Sequence, residues 1–523
     1  MIALLFGACR AAALPAERPA RTSPAAVALA PTATALATST VESASPAVEP
    51  AEPLASMTPL PAATRVAQYV DSLPAAAFSA PGPVGTVAFY ESSVTIPTYP
   101  VDAFQSDALS PVYDWPYRRT DIEAFRASNA APVARTYATL ILENQYLLIT
   151  ILPELGGRIL QVVHKPTGTR MFYNNKVVKP TAWGPPEQAG WLALGGLEWD
   201  LPVEEHGLAW GEAWGYIPLV FSTERAAVTV FTPQDGRALT ASITIELLAG
   251  AASFSIEPTI TNVSDQSQRF NFWHNAMLAP GSGAGISPAI HFVLPTDSMM
   301  VHSTGDVRLP AAGQRVTWPI YNGRDLSRLA TWSQYAGMFE SPAAHGPFAA
   351  VYDTQQDAGA VRTFPAGVAQ GSKIFALGGS AALSAALYTD DATGYVELHG
   401  GLAPTFAQQS ELAPGDAVSW RESWYPVAGM GDLATANELV ALDVQTNADG
   451  VTVALFAAHP LDADILLLDA AGAEVARMAV SLNPSAAQHI AWPARELDRP
   501  VAAVHLENVA GSILTYALPG STK

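Results

Sequence analysis

From about Val84 to Tyr425 the apolar residues recur at every second position in short runs, and turn residues break each run. A period of two sends alternate side chains to opposite faces of an extended chain, so this stretch is committed to building sheets. Thr86–Tyr90 and Ser93–Pro97 read as strands. Thr136–Leu142 and Gln145–Leu152 read as a hairpin turning at Glu143-Asn144. Further strands are expected at 227–231, 239–247, 254–261, 348–352, 382–388, 394–399 and 418–425. Amphipathic helical patterns are scarce, and 38 Gly and 42 Pro suit many turns. The expectation is an all-β sandwich of unusual size over residues 83–435.

Both flanks differ from this centre. Residues 10–82 are dominated by Ala, Pro, Ser and Thr, with almost no aromatics. Such a segment cannot bury enough apolar surface to offset its ordering entropy, and it is expected to be a disordered N-terminal stalk. As a flexible coil it would span roughly 45 Å. Before it, residues 1–9 end the run Ile2-Ala-Leu-Leu-Phe-Gly-Ala at Cys9, the single cysteine of the chain. A short apolar run and small residues ahead of a Cys look like the end of a lipoprotein signal peptide, with Cys9 as the lipidation site. The expected location is therefore extracytoplasmic, at the cell surface. After Gly429 aromatics thin out, 432–443 reads as a short helix or linker, and strands at 451–456, 464–469, 476–480 and 502–506 suggest a small immunoglobulin-like β-sandwich over 440–523.

A formal net charge of −20 without any Lys/Arg cluster argues against nucleic acid and anionic lipid as partners. Membrane contact is expected only through Cys9. Metal-peptidase, NTPase, α/β-hydrolase and dinucleotide motifs are absent, and no cofactor or metal is expected. Eight of the twelve Trp lie between 183 and 332. Sugars stack C–H patches on aromatic faces and pair their hydroxyls with carboxylates and amides, so a Trp-rich region interleaved with polar residues suits a carbohydrate partner. Core filling is the competing explanation.

Three segments carry candidate chemistry. In Gly195–Gly207 an extended backbone would put Glu198 and Asp200 on one face and Trp199 on the other, with His206 close by. Repulsion between the two carboxylates could raise one of them enough to act as an acid. In Phe270–Asn275 the aromatics alternate with polar residues, which would set Trp273 apart from His274, a candidate general acid, and would offer Asn275 to a ligand. In Gly394–Gly401 Glu397 and His399 share a face, and a carboxylate inside an apolar strand needs a reason to be there.

The blocks Leu142-Glu-Asn-Gln-Tyr-Leu147, Leu152-Pro-Glu-Leu-Gly-Gly-Arg-Ile159 and Phe172-Tyr-Asn-Asn175 resemble a bacterial domain-of-unknown-function family, the one numbered 5107. Gly195–Val203, Phe272–Asn275, Tyr395–Leu398 and Trp424–Val427 continue the resemblance in order, over roughly 84–435. That family is similar in turn to galactose-mutarotase-like proteins, which implies a β-supersandwich. By the same resemblance Glu397 looks like the epimerase base and Arg158 like the sugar-contacting Arg. Glu198 stands near the place of the first epimerase His, and His274 near the second.

An enzyme of this kind would set Glu397 and Glu198 across a concave sheet, with His274, for glycoside hydrolysis or another proton transfer at an anomeric centre. A binding protein would keep the cleft and hold a glycan with Arg158, Trp199 and Trp273, alongside Asp200, His206, Asn275 and His399. A scaffold would have kept the fold alone.

Overall fold

The computed structural model describes residues 65–66, 85–181, 190–340, 346–378, 389–391 and 393–519. Cys9, Trp183, the strand expected at 382–388 and most of the 10–82 linker lie outside the described residues. Arg65–Val66, which composition assigned to that linker, instead form a two-residue strand paired in parallel with Ser92–Ser93.

The chain is nearly all β. Two large sheets pack face to face, one of thirteen strands and one of nine among the described residues. Their facing side chains make one continuous apolar core, in which Ile149, Ile151, Leu197, Leu278 and Leu398 of the larger sheet join Val228, Ile243, Ile245 and Ile256 of the smaller. The period-two pattern is what permits this. In Leu239–Leu248, Ala241, Ile243, Ile245 and Leu247 are buried, while Thr240, Ser242 and Thr244 stay half-buried on the other side. The all-β supersandwich expected from the sequence is the fold observed.

Differences in the elements are local. The two strands expected at 86–90 and 93–97 are a single strand, Ala88–Thr98. The 418–425 strand divides into Ala417–Ser419 and Glu422–Ala428. A seven-residue helix, Ile122–Ser128, is capped by the Asp121 side chain accepting from the Ala124 amide. Residues 432–443, read as helix or linker, hold the strand Thr435–Ala436 and the start of Val440–Asn447. The latter belongs to a small sandwich of two four-stranded sheets. Its Phe456, Ala441 and Ala454 pack on Tyr352, Tyr425 and Val427 of the nine-stranded sheet.

Three strands at the middle of the larger sheet are buried on both faces: Gly196–Asp200, Trp273–Gly281 up to its last residue, and Val396–Gly401. One face of each meets the inter-sheet core. What covers the other face defines the candidate site.

Candidate functional site

Strand register brings the site together. Glu198 lies opposite Asn275, Asn275 opposite His399, and His399 opposite Lys373. The four therefore form a row across four neighbouring strands, on the face turned away from the second sheet. Alternation puts Asp200, Trp273, Gly401 and Gly371 in the next row on one side, and Gly196, Met277, Glu397 and Phe375 in the next on the other.

Glu198 is held on all sides. Its Oε1 lies 2.8 Å from His206 Nδ1, and its Oε2 accepts from Trp191 Nε1 at 3.1 Å and lies 3.2 Å from an Arg158 guanidinium nitrogen. Arg158 spends its other donors on the carbonyls of Leu155, Gly195 and Trp210. It is fully buried at the base of the cluster and braces Glu198. His206 stacks on Trp191 at 3.7 Å between ring centroids. Burial alone would lower His206, but the hydrogen bond and charge of Glu198 outweigh it and raise the imidazole above its ordinary value.

Asp200 and Glu397 are driven apart. Burial, followed by the negative charges of Glu198 and Glu397, raises Asp200 well above the usual carboxylate range. The His206 backbone amide and the Lys373 charge act in the opposite direction without offsetting the burial. Burial would also raise Glu397, but His399, Lys373 and His206 hold it below that range. Glu397 Oε2 is 2.9 Å from His399 Nε2, and His399 Nδ1 is 4.0 Å from Asp200 Oδ2. Burial and the Lys373 charge push His399 down to about 4, so at neutral pH the ring is an uncharged imidazole between a carboxyl raised well above the usual range and one held below it.

Lys373 is a site residue that the sequence reading missed, and like Glu397 it is a charged side chain inside an apolar strand. A lone ammonium in Gly371-Ser-Lys-Ile-Phe-Ala-Leu377 needs a partner too. Its Nζ donates to Glu205 Oε1 at 2.8 Å and lies 4.8 Å from the Phe406 ring centroid. Glu205, His206 and Gly207 are three successive residues with left-handed backbone, at φ 52°, 69° and 60°. Left-handed geometry is costly for the first two. The ion pair of Glu205 with Lys373 and the contacts of His206 with Glu198 and Trp191 hold them there. Burial would raise Glu205, but Lys373 and His302 hold it well below its ordinary value. Nothing in local sequence pattern foretells this turn.

Asn275 reaches the same face with both amide atoms unpartnered, as is Trp273 Nε1. Trp273 is covered by Phe339 and Phe406, whose ring centroids lie 5.8 and 4.9 Å away. The face therefore holds buried donors and acceptors beside aromatic rings. Glu205 and His302 are its more exposed members, with side chains 23% and 26% accessible.

Two expectations are corrected. His274 does not share the face of Asn275. It points into the inter-sheet core, with Nε2 3.0 Å from Glu422 Oε2. There Arg362 donates to both Glu422 oxygens at 2.6 and 3.0 Å, and Trp420 Nε1 donates to Oε1 at 2.7 Å. The alternation predicts aromatics on one face and polar residues on the other, but Trp273 and Asn275 are two residues apart and must share a face. Trp199 also belongs to the inter-sheet core, donating from Nε1 to the Gly157 carbonyl at 3.1 Å. Trp214, Trp318 and Trp332 lie in that core as well, so much of the tryptophan density is packing. Among the described residues no group of three or more His, Cys, Asp or Glu side chains is arranged to hold a metal ion.

A family model described as a domain of unknown function (DUF5107) matches residues 110–427, more than half of the chain. The chain belongs to that family. Among solved structures, this DUF5107 chain is similar to a TPR-domain containing protein from Parabacteroides distasonis, at 20% identity and a TM-score of 0.55. That match covers 66% of this chain and 56% of that one, so the chain spans little more than half the length of that relative. The two share a fold. A galactose mutarotase-like protein from Clostridium acetobutylicum is similar at 11% identity and a TM-score of 0.40, covering 56% of this chain and 96% of that one. Another, from Lactobacillus casei, is similar at 11% identity and a TM-score of 0.35, over 55% and 99%.

Proposed function

We propose that this protein takes a sugar on the outer face of its larger sheet and promotes acid–base chemistry at the anomeric carbon, with Glu397 as base and Asp200 as acid. The observation that carries the reading is the opposite displacement of these two carboxyls, held on either side of one neutral imidazole. Two titratable groups with environments that push them apart make a ready acid–base pair. The sugar part of the reading is supported by the mixture of unpartnered donors and acceptors beside aromatic rings, since hydroxyls both donate and accept. The family resemblance carried by the Gly195–Val203 and Tyr395–Leu398 blocks points the same way.

In this scheme Glu397 removes the proton of the anomeric hydroxyl while Asp200 protonates the ring oxygen. The C1–O5 bond breaks to give the open-chain aldehyde. Rotation about C1–C2 and reversal of both transfers close the ring as the other anomer. Glu198, saturated by Arg158, Trp191 and His206, is a positioning residue here, and the acid role passes to Asp200. The burial of Glu397 and Asp200 favours a single sugar unit over the interior of a polymer, and so anomer interconversion over polysaccharide hydrolysis. Binding without turnover is the second reading, favoured by the same saturation of Glu198. The reading includes an extracytoplasmic location with a lipid anchor at Cys9, supported by the N-terminal sequence and testable by labelling cells with a fatty acid.

The test is anomer exchange of a panel of aldoses and uronates followed by NMR, beside product chromatography on a polysaccharide panel. The expected result is accelerated exchange that Glu397→Gln lowers at least about 100-fold with sugar affinity kept within about tenfold. Binding without exchange or cleavage would leave the second reading. No binding to any sugar would end both.

A further inference from the structure

Lys373 is a fully buried ammonium whose carboxylate partner stands at the rim of the site. Its Nζ lies 2.8 Å from Glu205 Oε1, and the same oxygen lies 3.7 Å from His302 Nε2. Glu205 and His302 are the more exposed members of the face, so the face meets solvent at this ion pair. Moving Glu205 aside for a neutral ligand would strand a buried ammonium, which is costly. A ligand that brings its own carboxylate leaves the charge of the cluster unchanged. Strain favours the exchange, since Glu205 and His206 hold left-handed backbone at φ 52° and 69°. Lys373 Nζ and Glu397 Oε2 also meet one ring nitrogen, His399 Nε2, at 3.3 and 2.9 Å, so ammonium and base are close neighbours. In the pyranose ring of a hexuronate, the anomeric hydroxyl on C1 and the carboxylate on C5 flank the same ring oxygen. A base for the first and an ammonium for the second must stand close together, as these two do.

We propose that the sugar taken by this site is an acidic one, a hexuronate, whose carboxylate replaces Glu205 between Lys373 and His302. The inference rests on the sugar reading given above and narrows its substrate class. Glu205 is then a built-in occupant of the subsite, and the ligand carboxylate accepts from Lys373 in its place. The aromatic rings of Phe375 and Phe406, with centroids 5.5 and 4.8 Å from Nζ, also line the surroundings of the ammonium. One ammonium and one imidazole beside such rings suit a singly charged carboxylate better than a phosphate of nearly twice the charge. Asn275 lies opposite His399 on the neighbouring strand with both amide atoms buried and unpartnered, and offers a donor and an acceptor to the remaining hydroxyls.

The test is titration calorimetry on the full chain at neutral pH, with glucuronate against glucose, galacturonate against galactose, and glucose 6-phosphate beside them. The expected result is that at least one uronate binds about tenfold or more tighter than its neutral counterpart. Glu205→Gln keeps the shape of the side chain and removes the competing charge. It should tighten that uronate by a further factor of about ten and leave the neutral sugar near its wild-type affinity. Lys373→Met should erase the preference; if it does not fold, the wild-type comparison and Glu205→Gln decide. An equal gain in Glu204→Gln, which removes the neighbouring charge and keeps the one at Lys373, would reduce the effect to net charge and overturn the exchange. Neutral sugars bound as tightly as uronates, or glucose 6-phosphate bound more tightly than glucuronate, overturn the acidic-sugar inference and leave the sugar reading standing. No sugar bound by either the wild type or Glu205→Gln removes both.

Discussion

Glu397 and Asp200 begin as ordinary carboxyls of nearly equal acidity, and their surroundings alone give them different tasks. Glu397 is held below the usual carboxylate range, and Asp200 is pushed well above it. Activity that needs the pair should therefore rise at acid pH as Glu397 loses its proton and fall only above the normal carboxylate range, as Asp200 loses its own. Asp200→Asn, which cannot titrate, should lower the rate and abolish the alkaline limb. A pH profile of anomer exchange checks it, and an unchanged limb would assign that limb elsewhere. Arg158 makes a different kind of prediction. It is the guanidinium partner of a buried Glu198, and removing one member of such a pair leaves an uncompensated charge. Arg158→Met should cost about 3–5 kcal/mol in urea unfolding, where an Arg that only contacted ligand would cost almost nothing.

At the level of the strand, Val396–Gly401 shows how one element serves two environments. Gly400 faces the inter-sheet side, where a Cβ would strike the Arg362 guanidinium and His274. Gly401 faces the outer side, where a Cβ would strike the Trp273 indole, and Gly371 on the neighbouring strand makes room for the same ring. The two glycines let a charged network and an aromatic cluster approach one strand from opposite sides. Gly401→Ala should displace Trp273 and cost about 1–3 kcal/mol, read by denaturant unfolding and tryptophan fluorescence. Gly367→Ala, with nothing within 4 Å of the added carbon, should leave both readings near wild type.

For the whole molecule, the small C-terminal sandwich is joined to the nine-stranded sheet by an apolar contact and to the larger sheet by His164, whose Nε2 lies 2.8 Å from the Pro484 carbonyl. Burial pushes His164 down to about 4. Its folded value lies below the unfolded one, so the unfolded chain takes up the proton first, and stability is lost as pH falls from about 6.5 toward 4. Between pH 7 and 5 this group should account for about 2 kcal/mol of lost unfolding free energy. Urea titrations at the two pH values should show a correspondingly smaller drop in His164→Gln. Truncation before Asn437 should expose Tyr352, Val361 and Tyr425 and produce a lower Tm with a tendency to associate, followed by light scattering.

Periodicity and composition determined by themselves that this chain builds sheets, because alternation is a local property that every strand carries in its own residues. They also placed Glu397 and His399 on one face, and Glu198 and Asp200 on another, since residues two apart in a strand must share a side. Which side of each strand faces the core was left to the packing of the sheets. That choice sent His274 and Trp199 inward, left Asn275 and Asp200 outward, and aligned Lys373 with His399. Register between strands distant in sequence is set by the packing of two whole sheets against each other, and no single strand contains that information.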